Sequence, residues 1–292
     1  MIIVIGEILF DELPQGRRPG GAPFNLAQHL ARMGCDVHFV SRVGTDEAGD
    51  ELLKEVERVG LDPSFIQRDA EHPTGRVTVE LDEQGIPTYD IKPDVAFDYI
   101  QYDGFEEACL TADLVYFGSL IQRTEHGRSA LHQFLTDLPY GIIQFYDMNL
   151  RDGCERTEVV LASLEHTDVL KLNEEELESA GKLAGFDETG DALAEKLMET
   201  YSIRKIALTY GKDGSALYDA RAKYEQEGAA LSSDQIEDTV GAGDAFSSVL
   251  VRGLAQGRAP DTMLRDAAKL AEYICTISGA VPQDDRIYAS LG

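Results

Sequence analysis

The chain has 292 residues, 43% of them hydrophobic and 27% charged, an ordinary globular composition with room for one large α/β domain or two small ones. Its 53 acidic residues against 26 basic ones give a formal charge of −27, which argues against nucleic acid as a partner. No apolar run approaches the ~20 residues that cross a bilayer, and Cys35, Cys109, Cys154 and Cys275 form no CxxC pair, so reduced thiols are expected rather than a zinc or disulfide framework.

The opening MIIVIGEILF lacks the basic region and cleavage site of a signal peptide, so Ile2–Ile5 is expected as a first buried strand and the cytoplasm as the location. A helix over Asn25–Met33, a strand over Val37–Val40 and a helix over Asp46–Val59 follow, with Gly34 and Gly60 where left-handed C-caps belong. Thr74–Leu81 alternates as a strand, Asp82-Glu83-Gln84-Gly85 reads as a turn, and Thr88–Ile91 alternates again, which makes a hairpin rather than a βα unit. Beyond it, strands Leu114–Phe117, Ile142–Tyr146, Val169–Leu172 and Ile206–Thr209 alternate with helices Glu155–Leu164, Glu174–Ala184 and Asp191–Tyr201. The pattern predicts α/β units around a mostly parallel central sheet flanked by helices, in a single domain over 1–292. The inserted hairpin needs cover for its apolar face and is expected to act as a lid, a homodimer interface, or both.

Two segments carry chemistry. In DTVGAGDAF, small residues precede apolar positions at helical spacing, so a helix starts near Gly243 with its unpaired N–H groups open to an anion. Asp244 in that first turn reads either as a carboxylate complementing the helix dipole or as a reacting group. A P-loop, GxxxxGK[ST], is absent, and GxGxxG fails because Phe246 stands where its last glycine should be. In PGGAPFN, paired glycines free the backbone, and Asn25 can cap the helix or aim its amide at a ligand hydroxyl. Gly6-Glu7 and Asp11 lie just past the first strand, where parallel sheets face their ligand crevice.

Together GGAPFNLAQHLARMG and DTVGAGDAF, in this order, resemble the PfkB family of carbohydrate kinases, the ribokinase-like group. GEILFD, SRVGTDEAG, PTG, DMNLR, KLNEEEL and TYGKDG extend the resemblance along the whole chain, and the wording is most similar to bacterial fructokinases. The resemblance implies a ribokinase-like fold with a small inserted β lid at about residues 11–19 and 72–98, and transfer of the γ-phosphoryl group of ATP to a sugar hydroxyl. Fructose is the first expected substrate, then ribose or 2-keto-3-deoxygluconate; a sugar-sensing protein without catalysis is the rival of another class. Asp244 would be the base, and Gly241, Ala242 and Gly243 the anion hole. Asp11, Gly20, Gly21, Asn25 and Arg151 would meet the sugar, with Gly20-Gly21 as the hinge of the lid. Asn173, Thr209 and Gly211 would serve the nucleotide, Glu176 would act on Mg²⁺ through water, and Asp238 and Val240 would hold a monovalent cation such as K⁺.

Only nine of the 26 basic residues are lysine, a surface suited to concentrated salt or to an ordinary acidic cytosolic protein. Carboxylate self-repulsion is screened as ionic strength rises, the Debye length falling to ~3 Å at 1 M. The melting temperature should therefore climb from low to molar KCl; a flat or falling curve would remove the salt-adapted reading.

Overall fold

Runs such as IIVI and LVYFG, apolar at every position, are satisfied only in a sheet covered on both faces. The computed structural model describes residues 1–13, 16–81, 87–151, 154, 156–228, 231–232 and 234–292. In chain order its first elements are β1 (Ile2–Ile5), β2 (Leu9–Leu13), β3 (Gly16–Gly20), α1 (Ala22–Arg32), β4 (Val37–Gly44), α2 (Glu47–Arg58), β5 (Ile66–Asp69), β6 (Gly75–Leu81), β7 (Pro87–Ile91) and α3 (Glu106–Cys109). There follow β8 (Leu114–Gly118), α4 (Glu125–Asp137), β9 (Ile143–Asp147), α5 (Thr157–Leu164), β10 (Val169–Asn173), α6 (Glu174–Ala184), α7 (Gly190–Tyr201), β11 (Lys205–Thr209), β12 (Gly214–Asp219), β13 (Lys223–Glu227), α8 (Ala242–Ala255) and α9 (Pro260–Cys275).

The large sheet runs β13-β12-β11-β10-β9-β8-β1-β4-β5. Its pairings are parallel from β11 across to β5, and β12 and β13 add antiparallel at the other edge. Strand alternation divides the core. Ile2 and Val4 pack with Phe24 of α1, Val249 of α8 and Leu270 of α9, whereas Ile3 and Ile5 pack with Leu131 of α4, Leu177 of α6 and Leu197 of α7. The result is the predicted α/β architecture, helices on both faces of a mostly parallel sheet. Gly34 and Gly60 take φ of 75° and 83°, as C-caps require.

A second sheet, β3-β2-β6-β7, sits apart from the first. Its β6–β7 pair is the expected hairpin, with Val77 opposite Ile91; the turn at 82–85 lies outside the described residues. The hairpin is only half of it, because β2 joins β6 in parallel and β3 in antiparallel, so Asp11 stands opposite Arg18 and Val77. Two further differences are local. The helix expected from Glu155 begins at Thr157, Glu155 itself lying outside the described residues, and the buried strand β12 and the polar edge strand β13 were not anticipated. Among the described residues, no disulfide joins the cysteines and no helix is long and apolar enough to cross a membrane.

One buried ion pair ties the foot of the small sheet to the body. Asp98 is fully buried and receives Arg123 Nε at 2.7 Å and Nη2 at 2.8 Å, as well as the Val95 N–H. The same guanidinium donates to the carbonyls of Ile91, the last residue of β7, and Lys92. Removing the cation alone strands a buried carboxylate, so Arg123→Met should cost roughly 3–5 kcal/mol, and Arg123→Met with Asp98→Asn should recover much of it. Urea midpoints check this; a loss below ~1 kcal/mol for the single variant would show a solvent-screened pair.

Candidate active site

The site forms where the parallel strands end. Asp147 and Lys171, opposite each other in register on β9 and β10, are charged residues at the ends of apolar runs. Lys171 Nζ lies 3.2 Å from Asp147 Oδ1, both residues being buried. Asp147 Oδ2 accepts the hydroxyls of Ser247 at 2.7 Å and Tyr116 at 3.3 Å. Burial works against the Lys171 ammonium, but Asp147 and Glu176 outweigh it and hold the group above the ordinary lysine value.

Ser247 belongs to α8, and three residues back on the same face is Asp244. The N-cap of α8 is Gly241, at φ 80°, where a Cβ would overlap the Ala280 methyl. The first turn of α8 thus lies beside the strand ends: a Cβ at Gly243 would stand 3.5 Å from Lys171 Nζ, and the Ala242 N–H donates to the Thr239 carbonyl at 3.3 Å. Asp244 is 9% exposed, and its Oδ2 accepts Asn25 Nδ2 at 2.9 Å across 219 residues of sequence. Burial pushes its carboxyl up to about 6; the Asn25 bond pulls it down, nearby Asp147 adds to the rise, and the cations Lys171 and Arg151 oppose it. Asn25 is therefore not the N-cap of α1. Gly21 is, at φ 111°, where a Cβ would press on the Glu7 carbonyl at 2.5 Å.

Glu7, which follows β1 at the predicted ligand crevice, is a further buried carboxyl, one given no role from the sequence. Burial pushes it up to about 7, against the pull of the Glu7 and Ala22 N–H groups and of Arg151, with Asp244 adding to the rise. Burial likewise raises Asp11, against the charge of Arg151, and a Cβ at Gly20 would collide with the Asp11 carboxylate. Arg151 is exposed, and its charge acts on all three of these carboxyls, Glu7, Asp11 and Asp244. Its loop is aimed by local geometry: Asn149 takes a left-handed φ of 35°, and Glu176 Oε1 accepts the Leu150 N–H at 2.8 Å. Glu176 Oε2 and Asn173 Oδ1 close a capping box at the start of α6, so both side chains are engaged with backbone.

Thr209 and Gly211 line an apolar cavity of about 300 Å³ together with Ala242, Gly243, Phe246 and Cys275. Asn173 is the register partner of Thr209 on the neighbouring strand. The structure thus brings together Asp244, Gly241–Gly243, Asn25, Gly20, Gly21, Asp11 and Arg151 at one end of the sheet, with Thr209 and Gly211 beside them. Asp238 and Val240 lie on the turn before α8, where Asp238 Oδ1 accepts the Val240 N–H and Val240 is 47% exposed. A larger cavity of about 500 Å³, near Tyr102, Phe134 and Leu138, contains none of these residues, and size alone does not make it the site. Asp147, Lys171 and Glu7 did carry a sequence signal, a charge set inside or just after an apolar strand run, where such residues are rarely buried without purpose.

Buried carboxyls at strand ends, set against the open N-terminus of a helix, are the equipment of an enzyme that handles a phosphoryl group. The profile of pfkB family carbohydrate kinases matches residues 14–286, and the chain belongs to that family. By that membership it is an ATP-dependent carbohydrate kinase of ribokinase-like fold. Similar proteins include the fructokinase of Klebsiella pneumoniae, 28% identical over 282 residues, covering 92% of this chain and 89% of that one. A fructokinase of Vibrio cholerae O395, solved with fructose, ADP and calcium ion bound, superimposes with a TM-score of 0.80 at 26% identity, covering 100% and 98% of the two chains. A sugar kinase of Pyrococcus horikoshii, solved in complex with ATP, gives a TM-score of 0.79 at 25% identity over 100% of both chains.

The raised Asp244 carboxyl has a consequence for stability. Its value when folded, about 6, exceeds the ordinary 3.8, so the folded state keeps this proton longer and stability falls as pH rises between those values. Above pH 6 the chain holds a buried charge that asparagine would remove. Asp244→Asn should therefore stabilise the protein at pH 8, by up to about 3 kcal/mol, and much less at pH 4. Urea titrations at the two pH values test the sign; a variant less stable at pH 8 would mean that the carboxylate is a net helix-capping charge.

Proposed function

We propose that the protein transfers the γ-phosphoryl group of ATP to a hydroxyl of a small sugar, with fructose as the preferred acceptor and Asp244 as the general base. The observation that carries this reading is the Asp244 carboxyl itself, buried, held by Asn25, and set in the first turn of α8 beside the cavity of Thr209 and Gly211. A base whose value lies near 6 is ionised at neutral pH and can accept the hydroxyl proton as the new O–P bond forms. The bond from the γ-phosphorus to its bridging oxygen breaks in the same transfer, leaving ADP. The N–H groups at the start of α8, from Gly241 to Gly243, act as the anion hole for the charge on the moving group. Arg151, exposed beside these carboxyls, takes sugar or phosphate, and Asp11, Gly20, Gly21 and Asn25 take sugar contacts. Gly20 and Gly21, at the junction of β3 and α1, are the proposed hinge of the small sheet as a lid.

The described residues contain no group of three or more His, Cys, Asp or Glu side chains able to hold a metal ion. That fits Mg²⁺ carried on nucleotide phosphates, which usually takes only one or two protein carboxylates and several waters. Glu176 suits this role through water, since each of its oxygens has one backbone N–H and a further lone pair. The ion would supply charge neutralisation on the phosphates. Asp238 and Val240 contribute hard oxygen donors for a monovalent cation.

Support for fructose comes from the similar fructokinases, above all the one solved with fructose and ADP. Ribose and 2-keto-3-deoxygluconate come next, because specificity lies in loop contacts that a family shares least. The non-catalytic sensor is disfavoured by the intact Asp244 and Gly241–Gly243 run. Assayed for ADP release on a sugar panel, fructose should give the highest kcat/KM; another sugar tenfold better, about 1.4 kcal/mol, would reassign the substrate and leave the kinase intact. On the best sugar, Asp244→Asn should lower kcat by roughly 10²–10⁴ while sugar and nucleotide binding change far less. Near-wild-type turnover would end the general-base assignment.

A further inference from the structure

The face of α1 that carries Asn25 has further polar residues at helical spacing, Gln28, His29 and Arg32, of which His29 and Arg32 join Asn25 in the contacts that follow. Asn25, His29 and Arg32 reach across to α8 or to the segment after α9. Asn25 donates to Asp244, Arg32 pairs with Asp285 at 3.1 Å, and His29 bonds on both ring nitrogens. The His29 imidazole is 0% exposed, with Nε2 3.0 Å from the Ala280 carbonyl and Nδ1 2.7 Å from the Tyr288 hydroxyl. A carbonyl only accepts, so Nε2 carries the hydrogen; Nδ1 then accepts from Tyr288. Burial pushes the imidazole down to about 3, which keeps this neutral tautomer at working pH.

What the ring holds lies directly behind the anion hole. Ala280 fills the space that a side chain at Gly241 would need, so the left-handed N-cap of α8 rests against it. Upstream, the same segment leaves α9 at Cys275, which lines the cavity and whose carbonyl receives the N–H of Glu237 at 2.9 Å. We propose that His29 is a positioning residue for the phosphoryl-binding end of α8, acting through the Ala280 carbonyl to fix the segment that seats Gly241. The role presupposes that the α8 N-terminus meets the nucleotide phosphates. It assigns a function to a residue remote from sugar and nucleotide, and it separates His29 from Tyr288, which touches the ring but not the segment's Ala280 carbonyl.

The test compares His29→Phe, His29→Gln and Tyr288→Phe by hydrogen exchange of residues 239–250 and 276–282, by calorimetric ADP and fructose binding, and by steady-state kinetics. His29→Phe keeps a ring but leaves the Ala280 carbonyl unpaired. Exchange in both segments should quicken and ADP affinity should fall about tenfold, the scale of one unpaired buried carbonyl, while fructose affinity stays within about twofold. His29→Gln retains an amide donor for Ala280 and should recover most of the ADP affinity. Tyr288→Phe should lower the melting temperature without the exchange and ADP effects. If His29→Phe and Tyr288→Phe lose stability alike and neither quickens exchange at 239–250 nor weakens ADP binding, His29 is a packing residue and the proposal fails. Should His29→Phe not fold, His29→Asn, too short to reach Ala280, takes its place with the same expectations. A wild-type protein that binds no ADP would overturn the kinase reading instead, and the exchange data alone would then decide for or against the His29 role.

Discussion

The Asp244 carboxyl is under a constraint that shapes much of the surrounding sequence: it is buried, yet with a value raised only to about 6 it is ionised at neutral pH. A buried carboxylate must find compensating donors or give up its charge. Here compensation is deliberately partial. One amide, from Asn25, reaches it, the dipole of α8 points at it, and Lys171 stands near but is largely committed to Asp147. Had Lys171 been free to pair with Asp244, the carboxyl would fall toward its ordinary value or below and become a weaker base. The Asp147–Lys171 pair thus supplies a floor of low net charge on which a raised carboxyl can exist.

That arrangement demands close approach between elements far apart in the chain, and glycine supplies it at two points. At Gly21 the backbone turns at φ 111° against the Glu7 carbonyl and starts α1, which places Asn25 one helical turn later. At Gly241 it turns at φ 80° against Ala280 and starts α8, which places Asp244 in the first turn. Both helices begin at residues with no side-chain cap of their own; the Ala22 N–H meets the Glu7 carboxyl and the Ala242 N–H donates to the Thr239 carbonyl, so each start is only partly open to a ligand. By contrast α6, which lies at the same end of the sheet, is closed by the Asn173–Glu176 box. Helix termini of two kinds therefore flank the strand ends, one kind partly open to a ligand and the other sealed and used to aim the Arg151 loop.

Much of this was legible in the chain. Buried parallel strands announce themselves as continuous apolar runs, and six of them were bounded to within a few residues, Ile2–Ile5 without error. The two glycine-rich segments marked both open helix starts. Less legible were β2 and β3, because LFDEL and GRRPG have no clean alternation, and β13, whose KYEQE offers Tyr224 as its one apolar contact to the core. Such strands are specified by pairing with neighbours, not by local pattern. Asn25 shows the limit most clearly. Position alone offered a cap or a ligand contact, whereas its amide is committed to Asp244, a contact 219 residues away that no local rule anticipates. Lys171 and Asp147 were visible as charges in apolar strands, but their partnership depends on β9 and β10 being adjacent.

The overall charge sets one last problem. A chain carrying −27 offers an anionic nucleotide little long-range attraction, and Lys171, beside the start of α8, is already engaged by Asp147 and Glu176. Binding on the proposed reading must then rest on short-range terms that do not depend on net charge: backbone N–H groups at the α8 start, an apolar cavity for the base, and a divalent ion brought in with the phosphates. These terms act over a few ångströms and fall off steeply with misplacement, so precision at the α8 N-terminus matters more here than in a basic protein that can gather phosphate from a distance. The three polar ties from α1, at Asn25, His29 and Arg32, supply that precision from one rigid helix.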